Sequence, residues 1–125
     1  MNLDPICDYI AANTDLVVAE NLFSYSIPAQ VSNAVLLVAE SANGFVDHEI
    51  PGIFKNRYQV IVRDAVYETA KTRADELFDL LNLREVDMGE YVVTHSLPRH
   101  KPFPFRRSDG DLVEFSINFD VRYRE

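Results

Sequence analysis

LVEFSINFDVRY, residues 112–123, is the stretch of this sequence that decides the fold. From Val113 onwards its residues alternate between apolar and polar, and the apolar ones are Val113, Phe115, Ile117, Phe119, Val121 and Tyr123. Because successive side chains of a β-strand point to opposite faces, this alternation predicts a long strand with one buried face. The opposite face is predicted to be exposed and polar, and it consists of Glu114, Ser116, Asn118, Asp120 and Arg122.

The segment before this strand, residues 97–107, is rich in prolines and basic residues. Three prolines, Pro98, Pro102 and Pro104, restrict its backbone, which lowers the entropy that would be lost on docking. Aromatic and arginine side chains are typical of the residues that contribute most of the binding energy at protein interfaces. The predicted partner-binding residues are Arg99, Lys101, Phe103, Phe105, Arg106 and Arg107. The alternative is a solvated loop whose phenylalanines pack on the core of the chain itself.

Two helices are predicted upstream of this region. Asp4 followed by Pro5 resembles an N-cap with proline at the first helical position, and this helix would end near Asn13. The second helix would have Asp64 as its N-cap and would end at Asn82, since apolar residues recur there at helical spacing. Those apolar residues are Val66, Tyr67, Ala70, Ala74, Leu77, Phe78 and Leu81.

The other predicted strands are residues 22–27, 34–39, 54–63 and 89–96. The first two would pair as a hairpin around residues 28–33, and the second, being continuously apolar, would be buried on both faces. Two helices are too few to cross over between every pair of strands, which excludes a doubly wound parallel sheet. The prediction is an α+β fold: a single antiparallel or mixed sheet of four to five strands with two helices packed on one face.

Length and composition limit the class of protein. A chain of 125 residues matches the usual size of one hydrophobic core, so residues 1–125 are expected to form a single domain. The longest apolar run, residues 34–39, is far too short to span a bilayer, and no membrane partner is expected. The formal net charge of −8 argues against duplex DNA as the main partner, because phosphate binding depends on Lys and Arg. Against this acidic background, residues 95–108 contain no Asp or Glu.

The candidates for catalytic or metal-binding residues are weak. Asp109, Asp111 and Glu114 offer carboxylates for a divalent cation, but their spacing matches no twelve-residue calcium loop, and tight turns also select Asp and Gly. The three histidines have neither a nucleophile nearby in sequence nor metal-ligand spacing. The four glycines are scattered and form no phosphate-binding loop. We therefore expect no enzymatic activity and no cofactor.

Three parts of the sequence resemble a known family. They are YQVIVR at residues 58–63, the helix through Ala70, Ala74 and Leu81, and a tract made of residues 102–105, Gly110 and residues 114–119. These parts resemble the small tail-terminator proteins of long-tailed bacteriophages, which are also described as minor capsid proteins. The resemblance covers the whole chain in the order of its elements and residues 54–123 in residue pattern.

The resemblance implies an α+β subunit that forms a homohexameric ring on the end of the tail tube. The ring would stop polymerisation of the tube and offer a docking face to the head connector. The implied partners are further copies of the chain, the tail tube protein and a head-completion or connector protein, and DNA would pass through the channel without specific binding. The subunit would be made in the host cytoplasm and would reside in the neck region of the virion tail.

Two alternatives to this function remain open in the sequence. The first is another neck component, a head-completion or connector protein, which would follow the same logic of assembly but bind on the portal side. The second belongs to a different class and is a metal-dependent enzyme that uses Asp109, Asp111 and Glu114.

Overall fold

The computed structural model of the protein describes residues 1–28, 31–41, 44–106 and 112–125, with only the backbone of Phe105 and Arg106. Within these ranges the chain forms two α-helices and eight β-strands. In chain order they are α1 (Asp4–Asn13), β1 (Leu22–Ser24), β2 (Ala34–Ala39), β3 (Phe45–Val46), β4 (Phe54–Asp64), α2 (Tyr67–Leu80), β5 (Leu83–Asp87), β6 (Val92–Pro98), β7 (Phe103–Arg106) and β8 (Val113–Arg124).

The strands form one mixed sheet, with the order β1-β2-β4-β8-β6-β5. β3 pairs with the first residues of β4, and β7 pairs with the first residues of β8. The α+β fold with two helices and a mixed sheet is therefore confirmed, but the predicted number of four to five strands is too low. The prediction missed mainly β3, β5 and β7, since strands of two to five residues contain too few positions to show an alternating pattern.

β8 lies in the middle of the sheet, and it is the strand that the alternating pattern predicted. All but its last residue pairs with β4, from Phe54 opposite Tyr123 to Asp64 opposite Val113. On its other side it pairs with β7 and then with β6. Its predicted apolar face is buried from Phe115 onwards, where no apolar residue of that face is more than 2% exposed.

Both helices contribute to the core that covers this apolar face. The core residues of the helices are Ile6, Cys7 and Ile10 from α1 and Ala70, Ala74 and Leu77 from α2. The ring of Tyr67, at the start of α2, lies against Phe115 of β8 with the ring centroids 5.3 Å apart. Burial, together with the nearby Asp4 and Asp8, raises the pKa of the Cys7 thiol to about 12. This thiol is therefore inert at neutral pH.

The starts of both helices differ from the prediction. The N-cap of α1 is Leu3, and the amide of Asp4 donates instead to the side chain of Asn2. The N-cap of α2 is Val66, whose amide donates to the carboxylate of Asp64 at 2.9 Å. In both places an Asx side chain accepts a bond from the amide two residues later, which closes a turn before the helix. The same residue types favour N-caps and such turns, so the sequence alone does not distinguish them.

The predicted hairpin between β1 and β2 is wrong. The two strands are parallel, with Leu22 opposite Val35. β1 ends at Ser24, earlier than predicted, and the next residue, Tyr25, has the left-handed backbone angle φ = 71°. Because parallel strands run in the same direction, the chain between β1 and β2 must return to the end where β1 began. An apolar pattern predicts the strands but does not specify their relative direction.

Gly44, just before β3, is a position that requires glycine. Its φ is +72°, and a Cβ at this position would collide with the hydroxyl oxygen of Tyr123, a residue with no exposed surface. Gly44→Ala is therefore expected to lower the free energy of unfolding by about 2 kcal/mol, from left-handed strain and displacement of the tyrosine. Gly52→Ala is the matched control, because its φ is +83° but nothing lies within 4 Å of its added Cβ.

The control variant is expected to lose only about 1 kcal/mol, from the strained backbone alone. Urea unfolding of the wild type and the two variants measures the difference. Equal losses would contradict the assigned contact between Gly44 and Tyr123.

Candidate functional site

The face of the sheet opposite the core carries a row of charged and polar side chains from β4 and β8. The pairing of the two strands places Arg63 opposite Glu114 and Arg57 opposite Asp120. Opposite charges therefore face each other at these two positions, an arrangement that stabilises an antiparallel strand pair, whereas Lys55 and Arg122 at the far end of the row carry like charges. Gln59 lies between the two oppositely charged pairs, opposite Asn118.

The half of this row nearest the start of β8 is buried, although the whole polar face was predicted to be exposed. Glu114 is 5% exposed and Ser116 is 1% exposed. Nε of Arg63 donates to Oε2 of Glu114 at 3.0 Å, and Nε2 of Gln59 donates to Oγ of Ser116 at 2.6 Å. Alternation correctly assigned these side chains to one face, but it carries no information on what covers that face. Their bonds connect β4 to β8.

The other half of the row is open and forms a concavity of about 500 Å³. Its lining residues are Glu40, Phe45, Lys55, Asn56, Arg57, His95, Asp120, Val121 and Arg122. We call the charged part of this region the basic sheet face, defined by Lys55, Arg57, Arg99 and Arg122 with the carboxylates Glu40, Asp47 and Asp120. It contains a continuous ion-pair network, because both Arg57 and Arg99 contact Asp120, at 3.2 and 3.7 Å.

Asp47 anchors one end of the basic sheet face, and sequence reasoning missed it. It is 6% exposed and accepts hydrogen bonds from the amides of Glu49 and Ile50 at 2.9 and 3.3 Å. Nη1 of Arg122 donates to its Oδ2 at 2.8 Å. These donors, the amide of Glu49 foremost, hold the pKa of the Asp47 carboxyl below its usual value. The sequence shows an Asp followed by Pro51, which is typical of a turn. It does not show that the partner of Asp47 lies in β8.

His95 lies in β6 opposite Arg122 and completes the wall of the concavity. Its partial burial, followed by the positive charges of Arg122 and Arg84, lowers its pKa, and Asp120 opposes this only in part. The imidazole is therefore neutral at pH 7 and adds no charge to the basic sheet face.

The described part of the predicted basic loop, residues 97–106, is held against the sheet. Its first two residues belong to β6, and residues 103–106 form β7, paired with the start of β8. Between them, the amide of Arg99 donates to the carbonyl oxygen of Asn118 at 2.8 Å. The amide of Asn118 in turn donates to Nε2 of His100 at 3.2 Å. Pro104 fits this edge strand because it has no N–H to leave unpaired.

The six predicted partner-binding residues are only partly described. Arg99, Lys101 and Phe103 are exposed, and the ring of Phe103 also contacts His100 with the centroids 5.0 Å apart. Of these, the structure brings Arg99 to the basic sheet face. Phe105 and Arg106 lie in β7, and their side chains are outside the described part of the chain, as is the whole of Arg107.

The carboxylates considered for a metal do not form a described site. Asp109 and Asp111 lie outside the described residues, and Glu114 is bonded to Arg63. Among the described residues, no group of three or more His, Cys, Asp or Glu side chains is placed to hold a metal ion. In the same ranges, no helix is both long and apolar enough to cross a membrane.

A second concavity, of about 470 Å³, lies on the helix side of the molecule. We call it the acidic helix groove, and its lining residues are Asn13, Thr14, Asp15, Glu68, Thr69, Thr72, Arg73 and Glu76. Nη1 of Arg73 lies 3.0 Å from Oδ1 of Asp15, and this contact joins α2 to the segment after α1. With three carboxylates against one guanidinium, the groove carries a net negative charge.

Comparisons with known proteins identify the family. No curated protein sequence matches the chain. One solved structure with a similar fold is a chain from the virion of a native gene transfer agent particle, with a TM-score of 0.65 and 16% identity over 94% of this chain and 84% of that chain. Another solved chain has a TM-score of 0.50 and 18% identity, over 95% and 89% of the two chains. Residues 9–125 match the family described as bacteriophage tail terminator protein, and since this match spans nearly the whole sequence, the chain belongs to that family of phage structural proteins.

Proposed function

We propose that this protein forms a ring on the end of the phage tail tube, stops polymerisation of the tube and provides the docking face for the head connector. The observation that carries the proposal is the match of residues 9–125 to the tail terminator family. The similar fold of a chain in a gene transfer agent virion supports a place in a phage-like particle. In this proposal residues 1–125 act as a single tail-terminator-like domain.

The proposed ring is a homohexamer in the neck region of the virion tail, assembled from subunits made in the host cytoplasm. Each subunit contacts further copies of itself, the tail tube protein and a head-completion or connector protein. DNA passes through the channel without specific binding, which the net charge of −8 supports because like charges repel. The exposed Arg99, Lys101 and Phe103, with Phe105, Arg106 and Arg107, are the proposed contact segment for one of these partners.

Removal of the gene from the phage tests this function. Without a terminator nothing stops the addition of tube subunits, so the deletion phage is expected to produce tails of irregular and excessive length. Electron micrographs of lysates give the distribution of tail lengths, and supplying the wild-type chain in trans is expected to restore one uniform length.

The alternative function predicts a different defect. A missing head-completion or connector protein would leave tails of normal length that are not attached to heads. Tails of uniform normal length in the deletion phage would therefore contradict the terminator function and favour the connector.

A further inference from the structure

The two sides of the molecule carry opposite charge. α1, Asp15 and α2 together contain seven carboxylates and two basic residues. The carboxylates are those of Asp4, Asp8, Asp15, Glu68, Asp75, Glu76 and Asp79, and all seven residues are exposed. The basic sheet face, on the other side, has four basic residues against three carboxylates. In a chain with a net charge of −8, the acidic excess is therefore concentrated away from the basic sheet face.

Two cations of the basic sheet face share one carboxylate partner. Arg57 and Arg99 are 55% and 46% exposed, and both are oriented by the same carboxylate of Asp120. A guanidinium group has five N–H donors, so an ion pair within the sheet leaves donors for a carboxylate from outside. Because the network already orders these side chains, less conformational entropy is lost when a partner binds.

Exposed apolar side chains accompany both charged surfaces. Phe45, which lines the concavity of the basic sheet face, is 49% exposed, and its neighbour Val46 is 56% exposed. On the helix side, Val66 and Tyr67 are 55% and 45% exposed, and they directly precede Glu68 of the acidic helix groove. Protein interfaces combine such apolar contacts with charged groups that set the orientation of the partners.

We propose that the basic sheet face of one copy binds the acidic helix groove of the next copy. This inference rests on the proposed function, since it specifies the contact between subunits of the ring. The basic side supplies Lys55, Arg57, Arg99 and Arg122, and the acidic side supplies Asp15, Glu68 and Glu76. The surfaces lie on opposite sides of the sheet, so the contact is head-to-tail. Repeated contacts of this kind close into a ring when a whole number of rotations from one copy to the next adds up to a full turn.

Two charge-reversal variants test the contact. Lys55→Glu with Arg99→Glu reverses the sheet face, and Glu68→Lys with Glu76→Lys reverses the groove. Each variant alone would place like charges across the contact, and it is expected to remain monomeric in native mass spectrometry where the wild type forms rings. Wild-type rings are also expected to dissociate as ionic strength increases.

Mixing the two variants gives the most specific result. The reversed sheet face of one variant is then complementary to the reversed groove of the other, and their two unchanged surfaces match as in the wild type. The mixture is expected to recover rings in which the variants alternate, so that each ring contains equal numbers of both. A single contact between two identical surfaces would also pair the two variants, but it would stop at dimers and form no ring.

The matched control is Glu90→Lys with Glu125→Lys, which changes the net charge by the same amount as the groove variant. Both residues are exposed and lie outside the two surfaces, so this variant is expected to form rings like the wild type. Thermal unfolding verifies the fold of each variant. If a double variant does not fold, the single variant Lys55→Glu or Glu76→Lys is used in its place.

Three outcomes would overturn the inference: a wild type that stays monomeric at the highest attainable concentration, a reversed variant that assembles like the wild type, or a mixture that stays monomeric. The tail lengths of the deletion phage do not depend on which surfaces touch, so the proposed function is tested separately.

Discussion

Replacement of Glu114 with alanine is expected to lower the free energy of unfolding by about 3 kcal/mol, because it removes one partner of a buried ion pair. The side chains of Arg63 and Glu114 are only 11% and 7% exposed, and Nε lies 3.0 Å from Oε2. Without the carboxylate, the guanidinium group keeps its charge in a site that excludes water. The pair also connects β4 to β8, so the loss weakens the longest strand pairing of the sheet. Urea unfolding monitored by circular dichroism measures the effect.

An exposed ion pair of the same length provides the control for this prediction. Lys71 and Asp75 are 3.0 Å apart on the surface of α2, and each is about half exposed. Asp75→Ala is expected to cost at most about 0.5 kcal/mol, because solvent screens such pairs. The double change Arg63→Met with Glu114→Leu removes both charges and is expected to recover most of the lost stability. Similar losses for Glu114→Ala and Asp75→Ala would show that the first pair is not buried.

The second large effect is expected in the core, where Phe119→Ala should lower the free energy of unfolding by about 4 kcal/mol through loss of buried surface and formation of a cavity. Phe119 has no exposed surface, and its ring stacks on Tyr58 with the centroids 5.0 Å apart and the planes 8° from parallel. The Tyr58 hydroxyl forms a 2.6 Å hydrogen bond with Oγ of Ser96. A cavity beside this ring would therefore also loosen the contact between β4 and β6.

Phe103 is the matched control for this substitution, since it is a phenylalanine of the neighbouring strand β7 that is 46% exposed. Phe103→Ala is expected to cost about 1 kcal/mol, because less apolar surface returns to water. Thermal unfolding of both variants gives the comparison. A loss at Phe103 as large as that at Phe119 would mean that β7 is packed more tightly than its exposure indicates.

Long two-faced strands were predictable from this sequence. The pattern at residues 112–123 and the one at 54–63 each predicted a strand to within one residue of β8 and β4. Over such lengths a period of two is hard to confuse with a helical period. Both strands lie in the middle of the sheet, and together with the two predicted helices they indicated the class of fold.

β5 shows why the edge of the sheet was not predictable. It has five residues with the sequence LREVD, and Glu85 in its middle adopts φ = 51°. The pairing passes from Arg84 opposite His95 to Val86 opposite Val93, so Glu85 has no partner in the register. An irregularity of this kind interrupts the alternation on which strand prediction depends.

The residue types of the candidate site were predictable from the sequence, but the contacts between its side chains were not. The basic character of Arg99 is visible in the sequence, whereas its position beside Asp120 depends on how the chain turns back after β6. The bond between Arg122 and Asp47 joins residues 75 positions apart. Periodicity describes neighbours along one element, and contacts of this range arise only when the sheet has formed.

The position of β8 also determines when the chain can fold during its synthesis. β4, β6 and β7 all pair with β8, although β4 precedes it by a long stretch of sequence. A nascent chain that has emerged only as far as residue 112 would expose the apolar side of β4, and pairing between such distant segments is slow. It would also lack Asp120 and Arg122, which organise the basic sheet face. Unfinished chains are therefore expected to be substrates for chaperones.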